Sequence, residues 1–283
     1  MCNWVKFSFM NIIILHTQDL VIANKMADAV GVRFESQASH FRFSTDKEID
    51  IAPLREALDV DINYLPAFDF SKAGLFVSDM DSTLINIECI DEIADFANLK
   101  AQVAVITERA MQGELDFSAS LIERVALLQG LNVEVLDRVY AERLKVNKGG
   151  KALIQFLKTQ QIKTAVVSGG FSYFTQRLAQ DIGLDYNRAN TLVIEDNQLT
   201  GKVKGDIVNA TAKAEFVVEL CAKHQVSPHQ AIVIGDGAND LEMMAVAGLS
   251  VAYYAKPAVL EYADIVINYG GLDIMVDFFN KSL

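Results

Sequence analysis

The segment LFVSDMDST, residues 75–83, decides the fold prediction for this chain. It begins with an apolar run typical of a buried strand and continues into two aspartates, Asp79 and Asp81. Residues i and i+2 of an extended segment lie on the same side, so one cation could contact both positions. A buried carboxylate pair is costly unless a cation or a reaction uses it. An isolated Asp-x-Asp would favour a strand end and a capping turn, but further matching elements occur downstream.

The chain from residue 75 onward alternates between apolar runs of strand length and helical stretches. The runs predicted as strands are 75–79, 164–168, 231–236, 249–253 and 264–268. The predicted helices are 150–159, 172–182, 212–224, 239–247 and 273–281. Continuous apolar strands joined by helical crossovers predict an α/β fold with a Rossmann-like parallel sheet, covered on both faces. Such sheets bind ligands beyond the carboxyl ends of their strands.

The connection between the first two of these strands is anomalous. It contains roughly eighty residues, far more than one crossover helix needs. The helical periodicity of this segment predicts a cap inserted at about residues 88–146, over the mouth of the sheet. A shorter second insertion, residues 192–203, is predicted to be a hairpin.

Residues 1–70 have a different pattern and are predicted to form a small α+β module ahead of the core at 71–283. Its predicted strands and helices are 11–16, 20–30, 41–44, 51–60 and 62–65, after an irregular leader at 1–9. The module resembles the ACT-type regulatory domains that precede some bacterial enzymes. The alternative is a truncated remnant used for packing or dimerisation, so a homodimer is left open.

Composition limits the partners. The chain has 283 residues with a formal net charge of −12, which argues against nucleic-acid or anionic-membrane partners. Its three cysteines contain no CxxC pair and predict a reducing compartment without disulfides. The apolar stretch at residues 10–15 is too short to span a bilayer, so the expected location is cytoplasmic and no membrane partner is expected.

Two further strand ends carry polar residues. Residues 166–170, VVSGG, place Ser168 and glycines where the backbone can approach an anion closely. Residues 233–240, VIGDGAND, place Asp236 after another strand, and Lys213 lies between the two on a first helical turn. Each element alone is weak evidence, because a Ser-Gly-Gly turn and a solvated lysine are common. Their combination and order are specific.

The chemistry that fits these elements is phosphoryl transfer. A carboxylate nucleophile and a phosphate dianion repel each other, so a divalent ion, a lysine and backbone N–H groups are needed. Oxygen ligands from Asp79, Asp236 and a backbone carbonyl suit Mg²⁺. Asp81 can protonate a departing alkoxide and later deprotonate the attacking water. Ser168 and Lys213 would hold the phosphoryl oxygens.

These motifs resemble those of the haloacid dehalogenase superfamily of phosphatases, over residues 74 to about 279. The resemblance implies that Asp79 becomes the phosphoaspartate and that Asp81 is the acid/base, with its carbonyl on the metal. It also implies that Asp236 is the third magnesium ligand. The supporting and substrate-binding residues it implies in the core are Gly169, Lys213, Gly237, Asn239 and Asp240.

The cap narrows the expected substrate. Glu88 follows the catalytic strand, and Arg124 lies in an amphipathic helix predicted at 117–130. A substrate with both an ammonium and a carboxylate needs one acid and one arginine fork. This placement resembles phosphoserine phosphatases, whose apolar cap positions have counterparts at Met111 and Phe117. The resemblance implies Mg²⁺-dependent hydrolysis of the small molecule O-phospho-L-serine, the final step of serine biosynthesis.

Two other functions would share parts of this pattern. Related phosphomonoesterases that act on other small phosphate esters share the core motifs and differ in the cap, where Glu88 and Arg124 favour an amino-acid phosphate. A catalytically idle amino-acid sensor would not need Asp79, Asp81, Lys213 and Asp236 intact. The general expectation is therefore an enzyme rather than a binding module.

Overall fold

The computed structural model describes residues 10–279. The predicted leader at 1–9 and the last two residues of the helix predicted at 273–281 lie outside the described residues. No helix within residues 10–279 is long and apolar enough to cross a membrane.

The N-terminal module is a four-stranded antiparallel sheet with two helices. Its elements are β1 (Asn11–Leu15), α1 (Leu20–Val30), β2 (Phe34–Ser36), β3 (Phe41–Thr45), α2 (Ala52–Leu58) and β4 (Ile62–Tyr64). The strand order β2-β3-β1-β4 with β-α-β-β-α-β connectivity is the ferredoxin-like arrangement. Strand β2 was not predicted, because three residues are too few to show an alternating pattern. The ACT-type assignment stays a prediction.

The second part of the chain contains a seven-stranded sheet. Its strands are β5 (Leu75–Ser78), β6 (Lys163–Phe171), β7 (Tyr186–Glu195), β8 (Gln198–Lys204), β9 (Ala231–Gly235), β10 (Leu249–Tyr253) and β11 (Ile265–Ile267). They follow the order β11-β10-β9-β5-β6-β7-β8, and every pair except β7 with β8 is parallel. The predicted α/β fold with a Rossmann-like parallel sheet is confirmed.

A helical insertion follows β5. Its α-helices are α3 (Cys89–Phe96), α4 (Lys100–Met111), α5 (Phe117–Ala126) and α6 (Glu134–Arg138), continued by a π-helical turn at Val139–Arg143. Helix α5 begins where the Asp116 side chain accepts a hydrogen bond from the backbone N–H of Ala119. The two connections to the core pair with each other through a bridge between Ile85 and Val146. This pairing gives the cap one narrow hinge.

Helices cover both faces of the core sheet. They are α7 (Gly150–Thr159), α8 (Ser172–Ile182), α9 (Ala210–His224), α10 (Leu241–Val246), α11 (Pro257–Leu260) and α12 (Val276–Phe279). Successive residues of β5 alternate between two apolar clusters, with Phe76 in one and Val77 in the other. Because both faces are buried, the central strands are continuously apolar rather than alternating.

Two sequence predictions near the site need correction. The hairpin predicted as an insertion at 192–203 is the end of the core sheet, because β7 begins at Tyr186 and pairs in parallel with β6. Its tip contacts the cap, where the N–H of Gly130 donates to the carbonyl of Leu199 at 2.8 Å. Strand β6 also continues through Gly169 and Gly170 to Phe171, past the predicted turn, with a shift of register.

The N-terminal module is fastened to the core edge strand β11. The side chain of Asn63 accepts from the N–H of Val266 at 2.9 Å and donates to its carbonyl at 3.0 Å. The carboxylate of Asp61 accepts from the N–H groups of Asn268 and Gly270, both at 2.7 Å. These side chains satisfy backbone groups that an edge strand would otherwise leave unpaired.

Candidate active site

The functional side chains lie where three adjacent central strands end. Asp79 and Asp81 follow β5, Ser168 is in β6, and Asp236 follows β9. In the turn after β5, Met80 is fully buried in the core, and Ser82 has a φ of 57°. Burial of Met80 on the core side directs the flanking aspartates to the other side of the chain. The carboxyl edge of the sheet therefore gathers residues that are far apart in sequence.

Lys213 lies at the centre of the site. Its Nζ contacts Asp79 Oδ1 at 2.5 Å and Asp240 Oδ1 at 2.7 Å, and all three side chains are buried. Asn209 caps helix α9 by accepting from the N–H of Ala212, which fixes the turn that presents Lys213. Burial acts to lower the pKa of Lys213, but Asp240 and Asp79 together raise it above its usual range. The lysine is therefore a fixed cation.

Asp79 has the opposite electrostatic balance. Burial raises its pKa well above the usual range, against the attraction of Lys213, and Asp240 and Asp81 raise it further. A carboxylate nucleophile must be ionised, so this position requires more positive charge than Lys213 alone supplies.

Asp81 is held by donors from both the cap and the core. Its Oδ1 accepts from the backbone N–H of Cys89, the first residue of α3, at 2.8 Å. Its Oδ2 accepts from the hydroxyl of Ser168, also at 2.8 Å. The side chain thus points into the site beside Asp79 but is separately anchored, as an acid/base requires.

A metal ion fits the acidic cluster. Carboxylate oxygens of Asp79, Asp236 and Asp240 lie within 4.8 Å of one another. Burial raises the pKa of Asp236, which shows that its charge is undercompensated. Hard oxygen donors suit a hard divalent cation. Asp81 was predicted to offer its backbone carbonyl to the metal, and its side chain lies outside this cluster of carboxylates.

Asp240 also organises the loop after β9. Its Oδ2 accepts from the backbone N–H groups of Asp236 and Gly237, each at 3.1 Å. One carboxylate therefore anchors both Lys213 and the turn that carries Asp236. The predicted supporting residues Gly237 and Asp240 are brought together here.

A cavity of about 530 Å³ connects these groups to the cap. Asp79, Asp81 and Asp236 line its core side, and Glu88 and Arg124 line its cap side. Burial raises the pKa of Glu88 to about 7, helped by Asp81, and Ser82 Oγ donates to Glu88 Oε1 at 2.8 Å. The core side of the cavity therefore carries carboxylates, and its cap side carries one acid and one guanidinium.

Most N–H groups of Arg124 are available to a ligand. Its Nε donates to the carbonyl of Ser120 at 3.2 Å, and no ion pair to it exists within residues 10–279. Burial lowers its pKa, which Asp91 and Glu88 partly offset. A partly desolvated guanidinium without a carboxylate partner is suited to bind an anionic group.

The remaining predicted substrate residues also line this cavity. Phe117 stands over Gly169, where an added Cβ would lie 2.5 Å from the ring. Met111 lies at the rim with 79% of its surface exposed, and Asn239 lies in the loop after β9. The structure thus gathers every predicted substrate residue except Lys213 on the lining, and Lys213 lies directly behind Asp79.

Sequence reasoning missed two groups at the site. Thr83 Oγ1 lies 3.5 Å from Asp236 Oδ1, and it belongs to the same motif as the aspartates. Lys256 lines the cavity with its side chain 71% exposed and its Nζ 3.8 Å from Asp236 Oδ2. The one sequence signal next to Lys256 is Pro257, which is the first residue of helix α11.

Comparison with known proteins agrees with this geometry. Residues 74–248 match the family model of haloacid dehalogenase-like hydrolases. The chain belongs to this family. Within the family, curated relatives at 44–50% identity are phosphoserine phosphatases, and similar solved structures include phosphoserine phosphatases.

Three of these proteins show the extent of the similarity. The phosphoserine phosphatase of Polaromonas sp. is 50% identical over 217 residues, which cover 75% of this chain and 92% of the relative. An unliganded probable phosphoserine phosphatase from Vibrio cholerae has a TM-score of 0.84 and 37% identity, covering 95% of this chain and 86% of its own. A phospho-aspartyl intermediate analogue of phosphoserine phosphatase has a TM-score of 0.69 and 38% identity, covering 74% of this chain and all of its own.

Proposed function

We propose that this enzyme hydrolyses O-phospho-L-serine to L-serine and phosphate, through a phosphoaspartate on Asp79, with Mg²⁺ as its metal. The observation that carries the proposal is the shared cavity, because it joins Asp79 and Asp81 on the core to Glu88 and Arg124 on the cap. A phosphate, an ammonium and a carboxylate on one small molecule would each meet a complementary group.

In the first step, a carboxylate oxygen of Asp79 attacks phosphorus and the bond to the serine oxygen breaks. Asp81 gives its proton to that oxygen, so serine leaves as an alcohol. In the second step, Asp81 takes a proton from water, whose oxygen attacks phosphorus and releases phosphate and the Asp79 carboxylate. Lys213 stays protonated and stabilises negative charge in both steps.

Asp79 and Asp236 would hold Mg²⁺, with Asp240 orienting the loop around it. The ion would supply positive charge against the repulsion between Asp79 and the phosphate dianion. The raised pKa values of Asp79 and Asp236 support this need for a cation.

Substrate selection depends on the cap. Glu88 would pair with the substrate ammonium and Arg124 with its carboxylate, in a cavity whose closure excludes water and strengthens both pairs. The N-terminal module packs on the core through Asp61 and Asn63, while a homodimer and the cytoplasmic location stay predictions.

A panel of phosphate esters tests the proposal. Phosphate release would be measured from phosphoserine, phosphothreonine, a sugar phosphate and an aryl phosphate, each with Mg²⁺ and with a strong chelator. We expect phosphoserine to have the highest kcat/KM, and chelation to stop turnover. If a sugar phosphate were preferred over phosphoserine, the substrate would be another small phosphate ester. Full activity in chelator would show that the reaction does not need a metal ion.

Variants of the cap make the test specific. Arg124→Ala should raise the KM for phosphoserine by about 10- to 100-fold but change that for the aryl phosphate much less, because only phosphoserine has a carboxylate. Arg124→Lys should still impair binding, because an ammonium cannot make the two-pronged contact. Equal losses with both esters would make Arg124 a structural cap residue.

A further inference from the structure

The backbone beside Asp81 approaches the acid/base more closely than any residue with a side chain would permit. A Cβ added at Gly170 would lie 2.7 Å from Asp81 Oδ2 and 3.0 Å from Ser168 Oγ. Real Cβ atoms essentially never make contacts of 2.7 Å. Gly170 is absent from the positions of positive φ within residues 10–279, so the requirement is for space rather than for backbone conformation.

Gly170 also acts on Asp81 through a hydrogen-bond chain. Its N–H donates to Ser168 Oγ at 2.8 Å, and Ser168 Oγ donates to Asp81 Oδ2 at 2.8 Å. One lone pair of the Ser168 hydroxyl accepts the Gly170 N–H, which favours the rotamer in which the hydroxyl proton points to the Asp81 carboxylate. The other oxygen of Asp81 accepts from the N–H of Cys89 in the cap. The core therefore fixes Oδ2, and the cap fixes Oδ1.

We propose that Gly170 is a positioning residue for the acid/base Asp81, which it holds by leaving space for Oδ2 and by orienting the Ser168 hydroxyl. This inference rests on the proposed function, since it assigns a role within the same reaction. Proton transfer requires the donor oxygen within hydrogen-bond reach of the leaving group, and a misplacement of about 1 Å can cost roughly 100-fold in rate. A Cβ at position 170 lies 2.7 Å from Asp81 Oδ2, so this oxygen would have to move by several tenths of an ångström to reach ordinary contact, which approaches such a misplacement.

The test uses the dependence on the leaving group. An alkoxide leaving from phosphoserine needs the proton of Asp81, whereas nitrophenolate leaves from p-nitrophenyl phosphate as a stable anion. Single-turnover release of serine and of nitrophenolate would be measured for the intact chain and for Gly170→Ala, with Mg²⁺ present. We expect serine release to slow by about 100-fold and nitrophenolate release by less than about 5-fold.

A double-mutant cycle separates positioning from general damage. If Gly170 acts through Asp81, then Gly170→Ala should have little effect on serine release in an Asp81→Asn background, because the acid is already absent. Equal losses in both backgrounds, or equal slowing of both esters, would overturn the proposal. Gly169→Ala is the matched control, because its Cβ would contact the Phe117 ring instead of Asp81. We expect it to change KM without changing the leaving-group dependence.

A second variant covers the case in which Gly170→Ala does not fold. Ser168→Ala adds no volume and removes the hydroxyl that links Gly170 to Asp81. It should slow serine release at least about 10-fold more than nitrophenolate release. The proposed function itself is tested separately, since failure of Asp81→Asn to slow serine release would remove the acid/base, whatever the outcome at Gly170.

Discussion

Two clusters of buried charge in this molecule have similar composition and different uses. The catalytic cluster consists of Asp79, Lys213, Asp236 and Asp240, at the carboxyl edge of the core sheet. The docking cluster consists of His16, Ser39, His40, Arg42 and Asp277, where the N-terminal module meets the end of the core. Each buries carboxylate charge beside cationic or donor groups, and Asp79 and Asp236 of the first cluster also line the cavity below the cap.

The difference lies in how fully the carboxylates are satisfied. Asp277 Oδ2 lies 2.8 Å from His16 Nδ1, and its Oδ1 accepts from the Ser39 hydroxyl and lies 3.3 Å from His40 Nδ1. Burial alone would raise the pKa of Asp277, but hydrogen bonds from His16 and His40 hold it well below its usual range. In the catalytic cluster, burial instead dominates at Asp79 and Asp236 and raises both pKa values. In this molecule, the carboxylates of the catalytic cluster are incompletely compensated and lie beside a cavity, whereas the Asp277 carboxylate of the docking cluster is fully hydrogen-bonded.

Replacing the proposed nucleophile should give the largest effect on activity and almost none on folding. Asp79→Asn should reduce turnover by at least about 10⁴-fold, because the amide cannot form the phosphoenzyme. The free energy of unfolding should change by no more than about 1 kcal/mol, because the lost pair with Lys213 is offset by relief of a buried charge. Phosphate release and denaturant unfolding on the same samples measure both. Near-normal turnover in a folded Asp79→Asn protein would eliminate covalent catalysis.

The docking cluster should respond in the reverse way. Asp277→Ala leaves His16 and His40 without their shared acceptor, and breaking such a buried pair costs about 3–5 kcal/mol. We expect this loss in denaturant unfolding, with kcat per folded molecule unchanged. Glu261→Ala, which removes an exposed carboxylate, is the control and should stay within about 0.5 kcal/mol. A lowered kcat at full stability would show instead that docking controls the active site.

The two clusters also differ in how far the sequence predicts them. The catalytic residues follow apolar strands in short motifs, and parallel strands bring their carboxyl ends to one edge, so local patterns suffice to place Asp79, Ser168 and Asp236 together. Asp277 and His16 are 261 positions apart and belong to no motif. No sequence pattern marks the histidines at 16 and 40, and the structure shows that both side chains are fully buried.

The sheet edges and the irregular part of strand β6 also could not be predicted from the sequence. Strand β2 is too short to show an alternating pattern. At the edge strand β11, the Asn63 side chain makes the backbone hydrogen bonds that a neighbouring strand would make, and hydrophobic periodicity does not predict such a contact. The continuation of β6 through two glycines opposes strand propensity, because glycine is depleted in strands. Contacts along the sheet impose it instead, with Phe171 pairing to Asn190 in β7. The same irregularity brings Gly170 against Asp81.

The smallest predicted effect is the part of the pH dependence of stability that comes from His16 in the docking cluster. Burial lowers the pKa of His16, although Asp277 and Asp61 act to raise it and His40 lowers it further. An unfolded histidine has a pKa near 6.5, so below that value the unfolded chain binds a proton that the folded chain resists. Stability from this source is therefore complete above about pH 6.5 and is lost as the pH falls towards the lower folded pKa.

Replacing the ring with a group that does not titrate tests this sign. Asn at position 16 can still donate to Asp277, so His16→Asn should make the loss of unfolding free energy between pH 7 and pH 5 smaller by about 1 kcal/mol. His229→Asn, at an exposed histidine, should leave the loss unchanged. Titration of Asp277 does not affect stability between pH 7 and pH 5, because a carboxylate with a depressed pKa loses its contribution to stability only below about pH 4. If His16→Asn and the parent chain lost stability equally, His16 would not be held neutral by burial.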